Sequence, residues 1–132
     1  MGDGLKVLLD TCVFIWLVQA PSEISGKARK ALDNPESELW LSHASVWEVN
    51  LKHLAGKLTL PEKPRLWFSR QMAIWGIKDQ PLDLESLYLS SELPPLHKDP
   101  FDRLVVAQAI IHDAVLVSPD PILRKYGATV LW

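Results

Sequence analysis

Four short apolar runs, KVLLD, ELWLS, AVLVS and ATVLW, are separated by segments whose apolar residues recur at helical spacing or form a short helical turn. That alternation constrains the fold more than any other feature, because a strand that is followed by a helix and a second strand pairs with it in parallel. Such a sheet carries helices on both faces. The expected class is therefore α/β: a three-layer α/β/α domain with a central, mostly parallel sheet. The ten prolines, at positions 21, 35, 61, 64, 81, 94, 95, 100, 119 and 121, fall between these segments and leave them intact. One domain over residues 1–132 is expected.

The helices can be placed roughly. Residues 12–18 continue the first strand as an apolar helix, and Ser25 is positioned to cap a second in which Ala28, Ala31 and Leu32 share a face. In HASVWEVNLKHLAGKL, the stripe Ala44, Trp47, Leu51 and Ala55 is expected to pack on the sheet, with Gly56 near the helix end. Further helices are expected over residues 66–75, through Phe68, Met72 and Trp75, and over residues 84–93. The last, from Asp102 to about Asp113, has Gln108 as its only polar side chain across residues 104–111, so it reads as buried on most of its circumference.

Composition narrows the function. With 48% hydrophobic and 23% charged residues the chain is ordinary globular material. The longest apolar run, residues 12–18, is too short to span a bilayer, and MGDG lacks the positive region of a secretory signal, so a cytoplasmic protein without a membrane partner is expected. The single cysteine, Cys12, rules out an internal disulfide framework and a thiolate metal cage. A net charge of -2 argues against tight, non-specific nucleic-acid binding as the main activity. The distribution is uneven, with six Lys or Arg against one acid over residues 49–78 and six acids against one lysine over residues 79–102. A basic flank beside an acidic site would produce that pattern, as would two solvated faces.

The acids themselves point to chemistry. Ligands of open parallel sheets gather beyond the carboxyl ends of the strands. Asp10 ends the first strand, Asp120 follows AVLVS, and Asp102 begins the buried helix, where an unpartnered carboxylate is costly. Glu48 falls on the stripe of Ala44, Trp47 and Leu51, where an apolar residue is the ordinary choice. Taken singly, Asp10 and Asp102 also suit helix caps, Asp99 a cap or a brace of the turn at Pro100, and Asp120 a turn residue. Brought together, four carboxylates repel one another unless a cation compensates them. Oxygen ligands without paired His or Cys favour Mg²⁺ or Mn²⁺, and the chemistry that follows is phosphodiester hydrolysis by a metal-activated water. Ser118 and Thr11 read as assisting donors or as caps, and His97, which makes H-x-D with Asp99, could touch metal or phosphate but next to a proline turn reads more often as structural.

The order LLDT, SVWEVNLKHLAGKLTLP, LPPLHKDPFDRLVVAQA, LVSPDPILRKYGATVLW resembles the PIN-domain ribonucleases, most closely the VapC-type toxins of bacterial toxin–antitoxin pairs, over nearly the whole chain. The resemblance implies a PIN-like fold, Mg²⁺- or Mn²⁺-dependent endoribonuclease activity on RNA, a homodimer, and a small antitoxin that masks the site. Position by position, it implies catalytic roles for Asp10, Glu48, Asp102 and Asp120, with Asp10, Asp102 and Asp120 on the metal and Asp99 in support. Two positions depart from the family pattern: SPD stands where Thr-x-Asp is usual, and Cys12 where a histidine is common. Arg103 is expected to brace a carboxylate, face a phosphate or lie at the surface, and Lys57, Lys63 and Arg65 are expected to form the flank that contacts RNA.

Two other classes compete. LLDTCVF superficially resembles the haloacid-dehalogenase-type phosphatases, whose strand-end aspartate is a nucleophile, but that resemblance implies a second Asp two residues on, and Cys12 is there instead. A catalytically inactive module would keep the acidic pocket only to receive a basic partner segment. Metal binding separates it from the nuclease.

Overall fold

A computed structural model describes residues 5–132; the MGDG stretch weighed above lies outside the described residues. Five strands, β1 (Lys6–Leu9), β2 (Glu38–Ser42), β3 (Ile77–Gln80), β4 (Val115–Val117) and β5 (Val130–Leu131), form one sheet in the order β3-β2-β1-β4-β5. Every pairing is parallel: Leu8 lies opposite Trp40 on one side and Leu116 on the other. The expected fold class is what the chain adopts. Of the five, β3 has no counterpart in the sequence reading, and for a physical reason. It is an edge strand in which Ile77 and Gln80 are buried while Lys78 and Asp79 face solvent, so it lacks the apolar run of an inner strand.

The helices are α1 (Thr11–Gln19), α2 (Gly26–Asp33), α3 (His43–Leu54), α4 (Pro64–Trp75), α5 (Leu84–Glu92) and α6 (Pro100–Ile111), with 3-10 turns at Pro21–Glu23 and Pro121–Tyr126. Alternate residues of β1 face opposite layers. Val7 and Leu9 join Val13, Phe14, Leu17, Trp67 and Phe68, and Leu8 joins Leu104, Val105, Ala109 and Leu123. Phe14 packs against both Trp67 and Phe68, with ring centroids 5.4 and 5.7 Å away, and ties α1 to α4. Among the described residues, no helix is long and apolar enough to cross a membrane.

Two boundaries differ from expectation in ways that bear on the site. Helix α6 starts at Pro100, not Asp102, because Asp99 is its N-cap and proline at the first helical position costs no hydrogen bond. In α3 the buried face is Ala44, Ser45, Glu48 and Val49, whereas Trp47 and Leu51, the expected packing stripe, are 54% and 42% exposed. Six consecutive residues of α6, Leu104 through Ala109, are buried, as the apolar run required. Gln108 is accommodated there by the Ser42 hydroxyl, which donates to its Oε1, and by Pro81 O, which accepts from its Nε2 at 2.9 Å.

Candidate active site

In the strand order β3-β2-β1-β4-β5 the chain reverses direction of winding between β1 and β4, and a crevice opens at their carboxyl ends. Asp10 follows β1 and Asp120 follows β4, so both reach that crevice. Helix α3 brings Glu48 and α6 brings Asp102 and Asp99 to the same cavity of 410 Å³, which Thr11, Cys12, Ile15 and Lys52 also line. All four expected catalytic acids and Asp99 therefore meet in one place.

Three of these acids are helix caps as well. Asp10 Oδ1 accepts from Thr11 N at 2.8 Å, Asp99 Oδ1 from Phe101 N at 2.8 Å, and Asp120 Oδ1 from Ile122 N at 2.9 Å. The capping and functional readings coexist because a carboxylate has two oxygens. One is fixed to a helix start, which sets the direction of the other. Asp10 Oδ2 accepts from the Ser118 hydroxyl at 2.6 Å, and Ser118 Oγ accepts in turn from Asp120 N at 3.1 Å. The serine in SPD thus joins the two strand-end acids.

Electrostatics are strained. Burial and the neighbouring charges of Asp10 and Asp99 push the Asp102 carboxyl up to about 7. Asp10, 5% exposed, is also raised by burial, with hydrogen bonds from Ser118 and Thr11 opposing the shift. Glu48, 6% exposed, pairs through Oε2 with Lys52 Nζ at 2.9 Å, while its Oε1 is buried without a hydrogen-bond partner. The Cys12 thiol is pushed up to about 12 by burial and by Asp10 and Asp102, which favours its neutral form.

His97, for which the sequence reading weighed contact with metal or phosphate against a structural role, stands directly against two of the acids. Its Nε2 lies 2.9 Å from Asp120 Oδ2 and 3.2 Å from Asp102 Oδ2, and these three side chains offer ligand atoms within 4.8 Å of one another. Asp10 and Glu48 line the cavity outside that tight group. The signal available was H-x-D itself, which gains meaning only when Asp120 is brought alongside by the fold.

Other expectations need adjusting. Arg103 touches no carboxylate: its guanidinium donates to Leu93 O at 2.7 Å, Pro94 O at 2.9 Å and His97 O at 3.3 Å, and so secures the loop that carries His97. The Thr11 hydroxyl donates to Ser45 Oγ at 2.8 Å and fastens α1 to α3. The basic flank divides. Lys57 lines a groove adjoining the cavity, Arg65 lines a separate depression with Val46, Asn50 and Phe68, and Lys63 stands at the N-terminus of α4.

Comparison with known proteins gives a consistent picture. The VapBC2 crystal structure from Rickettsia felis, bound to a DNA fragment from its promoter, superposes with a TM-score of 0.69 at 13% identity, covering 96% of this chain and 97% of that one. FitAB bound to the IR36 DNA fragment gives 0.60 at 19% identity, covering 94% and 92%. FitAcB from Neisseria gonorrhoeae gives 0.59 at 16% identity, covering 94% and 95%. A comparison of the sequence with curated proteins gives no match. The PIN domain profile matches residues 7–128, and this chain belongs to the PIN domain family.

Proposed function

We propose that this chain is a Mg²⁺- or Mn²⁺-dependent endoribonuclease that hydrolyses phosphodiester bonds of RNA, and the toxin of a toxin–antitoxin pair. The observation that carries this reading is the gathering of Asp10, Glu48, Asp99, Asp102 and Asp120 around one cavity at the sheet's switch point. Among the described residues a single lysine, Lys52, forms an ion pair with that group. A divalent cation fits what is left over: burial and the neighbouring acids raise the Asp102 carboxyl to about 7, and among the described residues Glu48 Oε1 is a buried acceptor with no donor.

The donors are oxygens, which suits Mg²⁺ or Mn²⁺ better than softer metals. Asp10, Asp102 and Asp120 would hold the ion, which supplies an acidified water and neutralises charge on the departing oxygen. The chain's own residues do the rest. Ser118 fixes Asp10, Asp99 caps the helix that presents Asp102, and Glu48 offers Oε1 as acceptor for the proton of the attacking water. We assign RNA contact to Lys57, Lys63 and Arg65, all exposed, of which Lys57 lines the groove adjoining the cavity.

The partner assignment rests on likeness to VapBC2 and FitAB and on one surface feature. The outer stripe of α3, Trp47, Leu51 and Leu54, stays exposed, Leu54 to 85%, as an interface for a small antitoxin or a second copy would be. A homodimer acting in the cytoplasm completes the reading.

The test is RNA cleavage by the purified, partner-free protein in Mg²⁺, in Mn²⁺ and in EDTA, beside an Asp10→Asn, Asp102→Asn double variant prepared identically. Cleavage by wild type alone, with metal alone, is expected. Absence of both cleavage and Mn²⁺ binding overturns the proposal in favour of a module that receives a basic partner segment.

A further inference from the structure

The geometry points to His97 as a positioning residue that orients Asp120 by donating Nε2–H to its Oδ2, with Asp102 close beside the same nitrogen, while staying out of the coordination sphere itself. The site then remains oxygen-only although an imidazole stands inside it. The inference rests on the metal-site reading above and concerns what this chain's own histidine does there.

The tautomer follows from one hydrogen bond. Asp99 N–H donates to His97 Nδ1 at 3.1 Å, so the Nδ1 lone pair is already engaged and the ring proton belongs on Nε2. Nε2 donates to Asp120 Oδ2 at 2.9 Å, and Asp102 Oδ2 lies 3.2 Å from the same nitrogen. A nitrogen that carries a proton has no lone pair for a metal. Ligation through Nε2 would require the proton to move to Nδ1, where it would collide with the Asp99 N–H. The three ligand atoms within 4.8 Å therefore comprise two carboxylate oxygens and one N–H donor that holds Asp120.

The ring is also held at its backbone. His97 N–H donates to Tyr126 Oη at 2.7 Å, and His97 O accepts from Arg103 Nη1 at 3.3 Å, while Arg103 also grips Leu93 O and Pro94 O. The His97 side chain is 18% exposed. These contacts come from α6 and from the turn before β5, so the imidazole is fixed by residues distant in sequence. Fixed donors that aim metal-binding carboxylates typically contribute about 10- to 100-fold to metal affinity.

The experiment uses the full chain without RNA. Mn²⁺ binding is measured by calorimetry for wild type, His97→Leu and His97→Gln, and the Mn²⁺-loaded wild type is examined by pulsed electron paramagnetic resonance for coupling to ¹⁴N. The expected result is that His97→Leu weakens Mn²⁺ by about 10- to 100-fold. His97→Gln, whose amide N–H reaches the Nε2 position, recovers most of that loss, and the wild-type spectrum shows no directly coordinated nitrogen. A strongly coupled ¹⁴N in wild type overturns the inference and makes His97 a ligand; this readout stands even if a variant fails to fold. Equal Mn²⁺ affinity in wild type and His97→Leu overturns it while leaving the nuclease reading in place. No Mn²⁺ binding by wild type overturns both.

Discussion

Two corners of the molecule place aspartates at helix starts and treat them in opposite ways. At the start of α5, Asp83 is saturated: Oδ1 accepts from the Ser86 hydroxyl at 2.8 Å and pairs with His112 Nε2 at 2.7 Å, and Oδ2 accepts from Ser86 N at 3.0 Å. Burial pushes this carboxyl up, but the hydrogen bonds outweigh it and hold the group down to about 2. In the first turn of α6, Asp102 shares its cavity with four other acids and lies beside one histidine, and burial takes it up to about 7. The same residue type in the same kind of position is a finished structural joint in one case and an unfinished site in the other. What separates the two is whether the fold supplies the carboxylate with donors.

The comparison breaks most visibly in catalysis. Asp102→Asn should reduce RNA cleavage on the order of a hundredfold or more, because on the proposed function it removes charge from the place where a cation would be held. Asp83→Ala, remote from the cavity, should leave kcat within about twofold, since it touches neither ligand nor substrate. A time course of cleavage of one RNA at saturating Mn²⁺ checks both. Equal losses in the two variants would show that the cavity is not special.

Stability should move the opposite way. A carboxyl raised from 3.8 to about 7 binds its proton in the folded state, so its contribution is complete below pH 3.8 and is lost as pH rises through 7. The metal-free protein should lose on the order of 2–4 kcal/mol between pH 4 and pH 8 on this account, and Asp102→Asn should remove most of that loss. Urea unfolding at pH 5 and pH 8, in EDTA, measures it. Asp83 has the reverse sign: its contribution is present above pH 3.8 and is lost as pH falls through about 2. Asp83→Ala should cost about 1–2 kcal/mol at neutral pH, as loss of a cap with its partners does, and a variant as stable as wild type would refute the joint.

The same contrast explains what the sequence revealed. Asp10, Asp102 and Asp120 were legible because each adjoins an element whose type is plain from apolar pattern alone. Glu48 was found through a faulty stripe: Trp47 and Leu51 turn outward, and Glu48 is buried with Ala44, Ser45 and Val49 instead. An apolar residue on a helix does not disclose whether it meets the core or a partner surface. His97 and β3 were illegible for a shared reason. The role of one depends on Tyr126, Arg103 and Asp120, and the existence of the other on pairing with β2, so both arise from tertiary neighbours rather than local pattern.

The smallest effect expected concerns the basic flank, and it sharpens the contrast between charge that serves the site and charge that merely lies on the surface. Lys57 lines a 510 Å³ groove that shares Glu48, Lys52 and Asp99 with the acidic cavity, so on the proposed function a strand leaving a scissile bond held in the cavity would pass it. Arg65 faces a different depression and Lys63 the start of α4. Removing one cation that neutralises a phosphate should lower the slope of log K against log salt by about 0.7 for single-stranded RNA. Lys57→Ala should therefore flatten the slope by about that amount, while Lys63→Ala with Arg65→Ala changes it less. Filter binding of a single-stranded RNA to the Asp102→Asn background, across a salt series, resolves the two. A larger change from the Lys63 and Arg65 pair would move the RNA path off the groove and onto the α4 side.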